Sequence, residues 1–161
     1  MAALADIRPT AYVDLSFTTP PSASGASSLT PAQRTALTHL ESLRLYPEQK
    51  HEEFDAVYTP LHWIPSVSIE GLKFKVSDST QDVSTILTSQ RYVYRSKLKW
   101  YLTHPEQIEQ PQLHQSRYWW RASIFCVDGV RFVGNGNHRV CAALLLGWKT
   151  MRVRLLEPIE G

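Results

Sequence analysis

The sequence predicts an α/β domain, on three observations. Its 161 residues are 43% hydrophobic and 11% aromatic, enough for a packed core but short for two full domains. Aromatic and β-branched runs bounded by turn residues read as strands, and stretches with apolar residues three and four apart read as helices. Both kinds of segment recur from Thr30 to Leu155, so neither an all-helical nor an all-strand domain fits.

Before Thr30 the chain differs in character. Residues 1–28 read as an N-terminal arm and a flexible linker, and residues 29–161 as a single domain. The linker Thr18–Ser28 (TTPPSASGASS) is low in complexity. As a random coil it spans roughly 17–20 Å, far enough to let the arm Ile7–Phe17 reach its own subunit or a second copy. Ile7, Tyr12, Val13, Leu15 and Phe17 make that arm apolar, so it is expected to add a strand or apolar clasp either to its own subunit or to a second copy in a homo-oligomer.

Thr30-Pro31-Ala32-Gln33 has the form of a helix start, with a threonine cap, proline at the first helical position and a glutamine able to reach back. Ala36, Leu37, Leu40 and Leu43 follow on one face, and the helix should end before Pro47. Strands are predicted over Ala56–Tyr58, Trp63–Ile69 and Leu72–Val76. A helix is predicted over Ser96–Leu102, stopped by His104-Pro105. Arg117–Val127 (RYWWRASIFCV) is a strand, Asp128-Gly129 a hairpin turn and Val130–Val133 its partner. Asn137–Leu146 is a helix closed by Gly147, and Thr150–Leu155 a final strand with alternating sides.

Composition excludes several classes. The longest apolar run, Val140–Leu146, has seven residues against the roughly 20 needed to cross a bilayer. The first fifteen residues carry no basic start and no long apolar stretch, so no secretion signal is expected. Two cysteines make no disulfide framework, and no Cys/His spacing suits zinc. The expectation is a reduced, cytoplasmic protein with no membrane partner.

The net charge of +2 conceals an asymmetry. Residues 1–90 hold six basic and ten acidic side chains, a balance of −4, whereas residues 91–154 hold eleven and three, a balance of +8. Clustered Lys and Arg most often meet phosphate, so a nucleotide or nucleic acid is the expected partner. Arg91, Arg95, Lys97, Lys99, Arg117 and Arg121 are the candidate nucleic-acid contacts. Tyr92, Tyr94 and Trp100 interleave with them, and one of Trp119 and Trp120 could stack on a base. A solvated helix face explains the same pattern equally well.

The sharpest candidate site is Gly134-Asn-Gly-Asn-His-Arg139, a turn between a strand and a helix. Gly134 and Gly136 let a ligand approach the backbone, and Asn135 and Asn137 suit helix caps. His138 and Arg139 place cations in the first helical turn, where they oppose the helix dipole unless an anion sits there. The bland alternative is a tight turn with architectural glycines, Arg139 pairing with Asp128 or Glu106.

The order strand, Gly134–Arg139, Ala142-Ala143, Leu146-Gly147, closing strand resembles the phosphate-binding core of the ParB/sulfiredoxin superfamily. The likeness is close over Asp128–Leu156 and loose over Val57–Leu156. It implies a small mixed β-sheet with packed helices. It also implies phosphate contacts from Gly134, Gly136, Asn137, His138 and Arg139, with His138 and Arg139 as catalytic candidates. Asn137 stands where sulfiredoxins place a catalytic cysteine, so sulfinic acid reduction is not expected. No helix-turn-helix region follows, so centromere-site binding is not expected either.

What the resemblance leaves is action on phosphate esters, by nucleic-acid cleavage or nucleotide hydrolysis, with ATP or CTP and Mg2+ as the expected cofactors. A small-metabolite kinase using ATP or ADP is the first alternative. A non-catalytic DNA- or protein-binding module of a phage or toxin system is the second. Glu70, Asp78, Asp82 and Glu106 could each supply a base or magnesium ligand. His62, His104 and His114 show no metal spacing. Cys126 and Cys141 read as core thiols.

Overall fold

The structure is a computed structural model describing residues 28–47, 55–109 and 121–159. The predicted arm and most of the linker lie outside the described residues. In chain order come α1 (Pro31–Ser42), β1 (Ala56–Tyr58), β2 (Phe74–Asp82), a 3-10 turn (Val83–Thr85), β3 (Tyr92–Tyr94), α2 (Arg95–Thr103), α3 (Glu106–Glu109), β4 (Ser123–Val127), β5 (Val130–Asn135), α4 (Asn137–Leu145) and β6 (Thr150–Pro158).

The α/β class holds. A four-stranded sheet runs in the order β2-β6-β4-β5. It is mixed: β2–β6 and β4–β5 are antiparallel, and β4–β6 is parallel. Asp128 (φ 53°) and Gly129 (φ 80°) form the two-residue hairpin between β4 and β5. Positive φ at both positions matches the right-handed twist of the flanking strands. A separate ribbon pairs β1 with β3 and adds an isolated bridge from Leu45 to Val57.

The α1 start behaves as its residues dictate. The Gln33 amide donates to Thr30 Oγ1 at 3.1 Å, and Gln33 Oε1 accepts from the Thr30 amide at 2.8 Å. Gln33 also donates through Nε2 to the Leu102 carbonyl at 3.0 Å, tying α1 to the end of α2. Val140, Cys141, Ala142 and Ala143 of α4 are fully buried. Their small side chains let α4 lie close to α1, α2 and α3 at the centre of the core.

Two strand predictions need correction. Trp63–Ile69 is not a strand; it contributes only the bridge between Trp63 and Thr88. Pro60 and Pro65 bracket its start and remove two ladder donors. In place of a short strand over Leu72–Val76, β2 runs on to Asp82. Its polar half pairs because β6 offers a matching ladder, with Lys75 opposite Glu157 and Asp78 opposite Arg154. The helix over Ser96–Leu102 extends one residue each way, and the strand before Asp128 begins at Ser123 within the described residues. No helix among them is long and apolar enough to cross a membrane.

Candidate functional site

The site candidate is the turn joining β5 to α4. Gly134 passes the Phe125 ring so closely that a Cβ there would sit 2.5 Å from it. Gly136 has φ 103°, and a Cβ on it would lie 2.9 Å from the Ala122 Cβ and 3.1 Å from Arg139 Nη2. Gly136 is therefore required by its backbone conformation and its packing, whereas a side chain at Gly134 would have to displace the Phe125 ring.

Asn135 and Asn137 do not cap α4, contrary to expectation. Gly136 occupies the cap position and has no side chain with which to bond the first turn. Asn137 Oδ1 instead accepts a 2.6 Å bond from the Thr88 hydroxyl. Thr88 is fully buried, and its Oγ1 accepts from the Gln90 amide at 3.0 Å. Asn135 Nδ2 is buried and has no hydrogen-bond partner among the described residues. The result is a helix start without a side-chain cap from its cap residue, preceded by a buried amide donor.

His138 and Arg139 are held from within. His138 Nε2 accepts the Tyr94 backbone N–H at 2.9 Å, which fixes the neutral ring with its hydrogen on Nδ1. The ring stacks on Tyr94 at 5.9 Å and 15°. Arg139 is only 2% exposed and lies against the Gly136 backbone. Its guanidinium keeps positive charge close to the positive end of α4, which favours an anion at that end.

The basic candidates divide. Arg91 is exposed and its guanidinium covers the Trp63 ring at 3.9 Å. Arg95 donates to the Leu43 carbonyl at 3.2 Å, and Lys97 Nζ stands 5.6 Å from the Tyr94 ring centre. Lys99 is exposed on α2. Arg121 is not a surface residue: it is 4% exposed and pairs with Asp78 at 3.2 Å. Its neighbour Ala122 lies against Gly136. Arg117, His114, Trp119 and Trp120 lie outside the described residues.

Other candidates are placed elsewhere. Trp100 stacks on His104 at 4.4 Å and packs against the core. Asp82 caps the 3-10 turn by accepting from the Ser84 amide, and Glu70, Glu106 and His62 are exposed. No group of three His, Cys, Asp or Glu side chains suited to a metal occurs among the described residues. Cys141 is buried beside the Thr59 hydroxyl at 3.4 Å, and burial pushes its thiol up to about 12. Both cysteines are free thiols, Cys126 half-buried in β4.

Sequence reasoning missed Tyr46 and Tyr58. The hydrogen bonds Tyr46 N–H to Ala56 O and Tyr58 N–H to Arg44 O lay residues 44–46 along β1. Tyr46 thereby meets Tyr58 and Tyr92, and the rings continue through Tyr94 to His138. The signal was the spacing of two in Tyr92-Val93-Tyr94, which puts both tyrosines on one side of a strand. Comparison of the chain with protein-family models, with curated proteins and with solved structures returned no match.

Proposed function

We propose that this chain binds the phosphate of a nucleotide or nucleic acid at the turn Gly134–Arg139. One observation carries the reading: Asn135, whose buried Nδ2 has no hydrogen-bond partner among the described residues, directly precedes a helix start whose cap residue, Gly136, has no side chain. Backbone amides at a helix start attract anions, and a buried donor without an acceptor leaves about 1–3 kcal/mol to be recovered by a ligand that supplies one. The adjoining Arg139 and the +8 balance of residues 91–154 add attraction of the same sign.

The geometry favours binding over proton transfer by His138. Its Nε2 is already occupied by the Tyr94 amide, so that nitrogen is a positioning acceptor and not a base. The ParB/sulfiredoxin likeness supports the same turn as the phosphate contact and adds hydrolysis of a phosphate ester as the reaction to assay.

The test is amide NMR of the labelled protein titrated with ADP, ATP or CTP, each with magnesium. The largest shifts are expected at Gly134–Arg139. Asn135→Leu, which fills the space without a donor, should weaken binding about 10- to 150-fold, the loss of one hydrogen bond to a charged group. Shifts confined to another region, or none with any nucleotide, would rule the site out. Nucleotide products in the same tubes would add turnover to binding.

A further inference from the structure

The ring series between Tyr58 and His138 lies on one face of a three-part ribbon. Residues 44–46, β1 and β3 run side by side, so Arg44, Tyr58 and Tyr92 form one row, and Tyr46, Ala56 and Tyr94 the next. Val57 and Val93, between the rows, point the other way and are fully buried. The aromatic face is thus the one turned from the core. Its four tyrosines are each half-buried.

The small Ala56 at the centre of the second row leaves space over which the rings of Tyr46 and Tyr92 approach to 5.0 Å, stacked at 29°. Tyr46 meets Tyr58 edge to face at 5.1 Å. Cations border the rings: the Arg44 guanidinium lies 4.6 Å from the Tyr58 centre, and Lys97 Nζ stands by Tyr94. The Asp55 carboxylate, next to Ala56 in the chain, accepts from the Ser96 amide at 3.3 Å. Flat aromatic groups with cations at their margins complement a chain that alternates bases and phosphates.

We infer that this tyrosine face is a stacking platform for the bases of single-stranded nucleic acid, entered from the phosphate held at the β5–α4 turn. The inference rests on the proposed phosphate site and names its substrate class. Tyr94 joins the two regions: its amide holds His138, and its ring lies in the tyrosine row. A duplex keeps its bases stacked on one another and cannot offer their faces to the platform. A single strand can, and the tyrosines accept any base because every base has a π-face.

The test uses the full chain and three twelve-residue probes of equal charge per strand: oligo(dT), its abasic counterpart and a duplex of the same length. Binding is measured by anisotropy at two salt concentrations. Oligo(dT) should bind at least 10-fold more tightly than the abasic strand, and the duplex more weakly than oligo(dT). Tyr58→Leu with Tyr92→Leu should lower oligo(dT) affinity by roughly 5- to 150-fold per stack lost and leave the abasic strand unaffected.

Equal affinity for oligo(dT) and the abasic strand would overturn the platform while leaving the phosphate site standing. A duplex bound as tightly as oligo(dT) would also overturn it. Failure of all three probes to bind would overturn the platform, and the nucleotide titration alone would then decide the phosphate site. The wild-type comparison needs no variant, so a double mutant that fails to fold does not weaken the test.

Discussion

Replacing Gly136 by alanine would strain the turn in two separable ways. The backbone there has φ 103° and ψ 31°, a conformation in which a Cβ costs about 1–2 kcal/mol. The added methyl would also stand 2.9 Å from the Ala122 Cβ and 3.0 Å from its Cα, closer than packed carbons approach. Backbone cannot swing aside as a side chain can, so overpacking adds about 1–3 kcal/mol. The sum, about 2–5 kcal/mol, is a large share of the roughly 5–15 kcal/mol that holds a domain together. Gly129→Ala is the control, since its φ is 80° and nothing lies within 4 Å of the new Cβ. That variant should lose only about 1–2 kcal/mol. Urea unfolding measures both, the difference appearing in the midpoint at constant slope. If the two variants agree within about 0.5 kcal/mol, the ordinary error of such comparisons, the close packing at Gly136 contributes nothing and the argument fails.

Other outcomes follow from single contacts. Thr88→Val removes a buried hydroxyl that serves both Asn137 and the Gln90 amide, and should lower stability by about 1–3 kcal/mol in thermal melts. Thr30→Ala breaks the α1 capping box and should cost about 1 kcal/mol, read as a loss of urea midpoint. Asp78→Asn should change stability by under about 1 kcal/mol, because that carboxylate is 63% exposed and solvent screens its pairing with Arg121. The raised Cys141 thiol stays protonated in the folded chain while the unfolded thiol ionises near its ordinary value of 9.0. The unfolded state therefore binds fewer protons between pH 9.0 and about 12, and stability falls as pH rises through that window. Cys141→Ala should flatten that alkaline decline, and an aromatic disulfide reagent at neutral pH should label Cys126 well before Cys141.

Much of the fold was legible wherever a local signal and the tertiary environment agreed. Thr30 and Gln33 marked the α1 start, Asp128-Gly129 the hairpin, and the apolar run after Asn137 a buried helix. The polar half of β2 was not legible, because Ser77 to Asp82 has turn-like composition and becomes a strand only through pairing with β6. Trp63–Ile69 misled in the opposite direction, its apolar residues serving loop contacts between two prolines. At the candidate site the glycines were recognisable, but their packing roles were not. Nothing in the local sequence says that Phe125 and Ala122 will crowd them, or that Arg139 will fold back over Gly136. The tyrosine face was half visible, since β3 carries two rings and the other two arrive from residues remote in sequence.

The position of β6 between β2 and β4 has a consequence for how the chain assembles. One of the sheet's two interior strands comes from residues 150–158, later in the chain than both strands it joins. The β4–β5 hairpin and α4 are built from neighbours and can form early. β2 must wait for a partner: Asp82 faces Thr150, 68 positions further on, and their ladder can start only after that loop closes. Until then β2 presents a nine-residue ribbon, polar from Ser77 onward, with backbone donors and acceptors on both sides. Its Ser, Thr, Asp and Gln side chains keep it hydrated during that interval, a property of the assembly order as much as of the finished sheet.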